Sequence, residues 1–237
     1  PEQKLLSCRT ELTDAAKCAR IPAQEDIGER VWVRANGRFE VQHEAKVEIQ
    51  RQIVELRSLK QLEPHQMPGA PVKYLFDSRY CQADQFQSFV GDQFNGTVGG
   101  ERVQAIRDWV AEKFTYVPGS SDASTTAHDS FIERRGICRD YAHMVVTLAR
   151  ASVIPARFVA CYAPDVTPQD FHAVAEVFLH DPESDEGGTW QLVDATGMAK
   201  PDEIVKIGVG RDAADVSFLT SFGMVDLCEK DVQVLRD

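Results

Sequence analysis

Between residues 136 and 196 the apolar residues change their period once, from helical to strand-like, and that switch restricts the fold more than any other feature of the chain. Tyr141, Met144, Val145, Leu148 and Ala149 recur at helical spacing. Residues 171–179 then alternate, with His172, Val174, Glu176 and Phe178 on one face. Residues 189–196 alternate again and bring Trp190, Leu192 and Asp194 onto a common face. The stretch between these runs, residues 180–188, is rich in turn formers and acids, so the two runs read as an antiparallel hairpin with a long loop. A helix followed by a hairpin calls for an α+β architecture.

Three chemically capable side chains sit at the ends of these elements. Cys138 falls near the start of the helix, where free amide N–H groups and the macrodipole favour a thiolate, the attacking form of cysteine. His172 opens the first strand and Asp194 closes the second, so an antiparallel pairing lets the carboxylate face the imidazole. In that arrangement Asp194 orients His172 and His172 takes the proton of Cys138. Each residue also has a plainer reading. A helical cysteine is commonly a small buried hydrophobe, a strand histidine a hydrogen-bonded core residue, and an aspartate before a turn a cap. The coincidence of all three at element ends favours the chemical reading.

Composition sets the boundaries. With 237 residues and 43% hydrophobic content the chain can bury a substantial core. No apolar run approaches the ~20 residues that span a bilayer, so no membrane association is expected. The formal charge is -11, and residues 151–237, with 6 Lys/Arg against 16 Asp/Glu, hold nearly all of it. Phosphate backbones would be repelled, which argues against nucleic acid as a partner. The six cysteines, at 8, 18, 81, 138, 161 and 228, form no CxxC pair and no zinc-like spacing. Cys138 and His143, five apart on a helix, point to different faces. No EF-hand loop is present, so neither a metal nor another cofactor is expected. Scattered thiols suggest a reducing, cytoplasmic setting, although Cys8 and Cys18 could pair in an exported protein.

Upstream, Val31-Trp32-Val33-Arg34 and Phe39-Glu40-Val41-Gln42 flank Asn36-Gly37, a hairpin turn signal. Residues 45–50 alternate as a strand, and helical propensity competes from 50 to 59. Three prolines between 63 and 71 mark a linker or a loop. Val103, Ile106, Trp109, Val110 and Phe114 share one helical face. The following stretch, residues 116–129, is rich in Gly, Ser, Thr and Asp; Ser121 and Asp122 are candidate substrate-binding residues, and equally turn residues or caps.

The stretch from about 103 to 223 resembles the transglutaminase-like superfamily, in particular a bacterial cysteine-protease branch of it. The resemblance is carried by Gly136-Ile137-Cys138-Arg139-Asp140-Tyr141-Ala142, Ile154-Pro155-Ala156-Arg157-Phe158-Val159, His172-Ala173-Val174 and Asp194-Ala195-Thr196. Tyr80-Cys81, residues 102–109, Gly119-Ser120-Ser121-Asp122-Ala123 and residues 210–216 are also similar to that branch. It implies a papain-like core, with a nucleophile helix packed on an antiparallel sheet and a Cys138-His172-Asp194 triad. It also suggests a strand-containing part before that core, and the break at 63–71 then divides the chain into a β-rich region over 1–70 and an expected catalytic domain over 71–237.

The expected chemistry is acyl transfer from a peptide or protein amide or isopeptide, through a thioester, with hydrolysis favoured over amine transfer. The Cys138 N–H is the natural first oxyanion donor and the Tyr116 hydroxyl a candidate second. An arylamine-type acetyltransferase shares the order of the three residues but fits the long stretch before Cys138 poorly. A catalytically silent peptide-binding module is the alternative from outside enzymology. The oligomeric state is not legible.

Overall fold

The computed structural model describes residues 2–13, 17–184 and 187–237. In chain order its elements are β1 (Gln3–Leu12), β2 (Lys17–Pro22), β3 (Glu29–Arg34), β4 (Val41–Ile49), α1 (Gly69–Val72), α2 (Gln87–Gln93), α3 (Gly99–Lys113), β5 (Thr115–Tyr116), α4 (Ala127–Glu133), β6 (Arg135–Gly136), α5 (Cys138–Ala151), β7 (Ala156–Tyr162), β8 (His172–His180), β9 (Gly188–Val193) and β10 (Val205–Gly210). The fold is α+β, with α5 packed on a four-stranded antiparallel sheet ordered β10-β7-β8-β9.

The period switch in the sequence has a direct structural counterpart. α5 is buried from Asp140 to Ala151 and lies against Ala173, Ala175, Val177 and Leu179, the alternate residues of β8. Val103, Ile106, Trp109 and Val110 of α3 join the same core, together with Phe86, Val90 and Phe94. The opposite side of the sheet carries a smaller cluster of Val159, Cys161, Val174, Leu192, Ile204 and Val209. β8 and β9 form the expected hairpin, with Ala175 opposite Val193 and His180 opposite Gly188. Of its acidic loop, Asp185 and Glu186 lie outside the described residues.

The N-terminal strands pair differently from the expectation. Asn36-Gly37 does not close a hairpin between 31–34 and 39–42. Instead β3 pairs with β2, Lys17 opposite Arg34 and Pro22 opposite Glu29, while β4 pairs with β1, Leu12 opposite Val41 and Gln3 opposite Ile49. The result is a two-stranded ribbon made of two separate ladders, β2-β3 closed by residues 23–28 and β1-β4 beyond residues 35–40. Gly37 still adopts φ +86, in the segment between the two ladders. Two strands on each side satisfy far more ladder hydrogen bonds than the local hairpin would, and the longer pairing wins. The helical tendency between 50 and 59 yields only a single 3-10 turn, Leu56–Ser58. There the chain lies directly on the start of α3: a Cβ on Gly100 would sit 1.6 Å from the Leu56 carbonyl oxygen.

Buried charge fastens the ribbon. Glu176 of β8 is fully buried and pairs with Arg157 and Lys206. Arg157 continues to Glu25 at the turn of the ribbon, and Lys206 to Glu2 at its base. Gln3 and Lys206 exchange two further hydrogen bonds, at 2.8 and 2.9 Å. Glu25 also accepts the Tyr74 hydroxyl at 2.6 Å. Gly28, at φ +78, touches the Ile207 carbonyl so closely that a Cβ would lie 1.9 Å from its oxygen. Both ends of the ribbon are thus docked on the back of the four-stranded sheet.

Candidate active site

The start of α5 is built to hold Cys138. Asp140 turns back and accepts the Ile137 N–H at 2.8 Å and the Ser121 hydroxyl at 2.6 Å. This is the carboxylate half of a capping box. Gly136 makes room for it, since a Cβ there would stand 2.5 Å from the Asp140 Cβ. The two-residue parallel pairing of β5 with β6 sets Tyr116 beside Gly136, and Val117 N–H bonds the Gly136 carbonyl at 2.9 Å. Cys138 is half-buried at the end of this framework.

Asp194 ends the strand opposite. One carboxylate oxygen accepts the Thr196 N–H at 2.8 Å and the Thr196 hydroxyl at 2.7 Å. The other accepts the Ala199 N–H at 2.9 Å and faces His172 Nε2 at 3.2 Å. Arg107 of α3 donates to the Asp194 carbonyl at 3.1 Å, tying the turn to the helical layer. His172 opens β8 opposite Cys161, and its ring interacts with both Asp194 and Cys138.

The electrostatics follow from this arrangement. Burial alone would push the His172 pKa down, but hydrogen bonds to Asp194 and Cys138 and the negative charge of both outweigh it and raise the value to about 9. Burial would raise Asp194; His172, Thr196 and Ala199 reverse that and hold its carboxyl below the ordinary value. Tyr116 is pushed up to about 12, first by burial and then by charge on Cys138.

The residues singled out in the sequence therefore divide. Cys138, His172 and Asp194 come together, and Tyr116 lies opposite Gly136 and interacts electrostatically with Cys138. Ser121 and Asp122 are in the adjoining loop. Ser121 donates its hydroxyl to Asp140, and Asp122 binds the Ser124 N–H at 2.7 Å while its carbonyl accepts Arg139 at 2.6 Å. Their polar atoms serve the loop and the helix start. Asp140 and Arg107 had no assigned role in the sequence. An acid two residues after Cys138 in a helix start is a legible cap signal, whereas nothing in the sequence connects Arg107 with Asp194.

The remaining thiols are in different surroundings. Cys81 and Cys161 are buried, and desolvation raises Cys81 to about 12 and Cys161 well above the usual thiol value. Cys8, Cys18 and Cys228 are exposed, and all six are free. His143 lies in the core with its Nε2 accepting the Ala213 N–H at 3.1 Å. Among the described residues no group of three His, Cys, Asp or Glu side chains is placed to hold a metal. No helix among them is long and apolar enough to cross a membrane.

A papain-like arrangement of thiol, imidazole and carboxylate on this α+β core defines a class, and comparison with known proteins agrees with it. The pattern describing the transglutaminase-like superfamily matches residues 87–195. A crystal structure from Cytophaga hutchinsonii, provisionally named a cysteine protease, is 32% identical with a TM-score of 0.83, covering 91% of this chain and 74% of that one. The chain belongs to the transglutaminase-like superfamily. It is also similar to an uncharacterized protein of Mycobacterium leprae, 28% identical over 116 residues, and to one of Mycobacterium tuberculosis, 31% identical over 127 residues. Each of these matches takes in 48% of this chain and only 42% and 40% of the respective relative.

Proposed function

We propose that the protein is a cysteine-nucleophile amidase that cleaves peptide amide or isopeptide bonds. The observation that carries this reading is the His172 ring held by Asp194 at 3.2 Å and interacting with Cys138 at the start of a buried helix. An imidazole beside a thiol, itself oriented by a carboxylate, is the arrangement of a nucleophile activated by an adjacent base.

The reaction proceeds in two halves. The Cys138 thiolate attacks the carbonyl carbon, and negative charge gathers on the carbonyl oxygen as the C–N bond weakens. The Cys138 N–H at the start of α5 and the Tyr116 hydroxyl, which interacts electrostatically with Cys138, are the donors assigned to that oxygen. His172 gives its proton to the departing nitrogen, the amine leaves, and a thioester remains. Neutral His172 then takes a proton from water, hydroxide adds to the thioester, and collapse releases the carboxylic acid and restores the pair. Asp194 stays ionised and holds the ring. The partial exposure of Cys138 admits water, which supports hydrolysis over transfer to an amine. Six free thiols support a reducing setting.

The test is turnover of a panel of peptide amides and isopeptides by the native protein, Cys138→Ala and Tyr116→Phe. Cys138→Ala should remove activity. Tyr116→Phe should lower kcat on the order of a hundredfold to a thousandfold, the effect of losing one oxyanion donor. An unchanged rate in Cys138→Ala would reject the amidase reading, and a normal kcat in Tyr116→Phe would remove the tyrosine from the mechanism.

A further inference from the structure

Residues 217–237 form no helix or strand, yet four of them, Phe218, Lys230, Val234 and Arg236, are tied to the loop that leads into His172. Phe218 stacks on Phe171, with ring centroids 5.0 Å apart and planes at 21°, and Phe171 is stacked in turn on Tyr162. Lys230 bonds Asp170 at 2.6 Å. The Gln169 side chain receives both backbone groups of Val234, donating to its carbonyl at 2.7 Å and accepting its N–H at 2.9 Å. Arg236 reaches Asp165 at 2.6 Å and Glu203 at 2.8 Å. On the ribbon side, Phe222 stacks on Trp32 at 5.6 Å and Asp237 pairs with Lys46.

Two features set this segment apart from ordinary packing. Its apolar residues are not buried: Phe222, Met224, Val225, Leu227 and Leu235 are all exposed. It is held by polar latches and stacked rings in place of a core, so it can be displaced at small cost. Its contacts also have the form of peptide recognition. An amide side chain that pairs both the N–H and the C=O of one residue reads an extended backbone independently of sequence. Carboxylates at Asp165, Asp170 and Glu203 take cationic side chains six residues apart. The surface borders the candidate site, because Phe171 precedes His172 and Asp170 is within electrostatic reach of Tyr116.

We propose that residues 165–171 and Glu203 form a subsite for an extended peptide segment bearing spaced Lys or Arg side chains, and that residues 217–237 occupy it in cis as a displaceable strap. This deepens the amidase reading and depends on it for its meaning, since it names the class of peptide the same site takes. A tethered occupant acts at an effective concentration on the order of 1 mM, so it competes with free peptide until displaced.

The experiment measures binding with no chemistry involved. A fluorescent peptide of residues 224–237, carrying Cys228→Ser, is titrated by anisotropy against three proteins, all with Cys138→Ala: the full chain, a chain ending at residue 216, and a full chain with Lys230→Glu and Arg236→Glu. The shortened and charge-reversed chains should bind the peptide at least about tenfold more tightly than the full chain, in which the subsite is filled. Peptide with Lys230→Ala and Arg236→Ala should bind about tenfold more weakly, and added salt should weaken the parent peptide. If the shortened chain does not fold, the charge-reversed chain decides. Equal, negligible binding to the full and released chains would overturn the proposal, and so would binding indifferent to the two cationic residues. Because no turnover is required, either result stands apart from success or failure of the amidase assay.

Discussion

The helix-on-sheet core and the N-terminal ribbon are held by opposite means. Around α5 the stabilising contacts are apolar and continuous, with Met144, Val145, Val146, Leu148 and Ala149 all without exposure. In the ribbon, Leu5, Leu6, Ile21, Trp32 and Val41 are exposed, and attachment depends on the buried charges around Glu176. Apolar burial is non-directional and tolerates small adjustments, whereas a buried ion pair fixes one geometry and is costly to break on one side. The core therefore supplies stability, and the charge cluster sets where the ribbon sits.

This contrast can be broken at its joint. Glu176→Gln leaves Arg157 and Lys206 buried with reduced compensation and should cost about 4 kcal/mol, within the range for breaking a buried pair. Hydrogen exchange should show the ribbon amides losing protection well before those of α5. Uniform loss across both regions would mean that Glu176 supports the sheet itself. Leu148→Ala, by comparison, should cost about 3 kcal/mol through a cavity in the core, with ribbon and core unfolding together in denaturant.

Acid and base should act on different regions. Burial opposes ionisation of Glu2 and Glu25, but Lys206 and Arg51 on the one, and Tyr74, Arg157 and Lys73 on the other, leave both pKa values below the ordinary 4.5. Their stabilisation is complete above that value and lost as pH falls through the lowered ones, so acid should loosen the ribbon ends. His172 behaves in reverse. Its pKa is raised from 6.5 to about 9, so its contribution is complete below 6.5 and disappears as pH rises through about 9. Amidase activity should decline over the same alkaline limb while the ribbon stays protected. The smallest effect is expected at the exposed Leu5, where Leu5→Ala should change stability by less than about 0.5 kcal/mol.

The same contrast explains what the sequence made legible. Helical and strand periods are local, so α5, β8 and β9 could be read, along with the placement of thiol, imidazole and carboxylate at their ends. Ribbon pairing is not local. Asn36-Gly37 carries a strong turn signal, yet residues 31–34 pair with a segment more than ten positions upstream because the whole ladder outweighs one turn. Tyr116 reaches Cys138 through a two-residue parallel pairing that no periodicity reveals. Ser121 and Asp122 have the composition of a binding loop, but their hydrogen bonds support the cap of α5 and a turn.

The central claim is that His172 activates Cys138, and site-resolved iodoacetamide labelling across pH 5 to 9, native against His172→Ala, tests it most directly. The account predicts that Cys138 is alkylated faster than the exposed Cys8, Cys18 and Cys228 below pH 7, and that the advantage is lost in the variant. Equal rates at Cys138 and the exposed thiols, unchanged by removal of the imidazole, would contradict it.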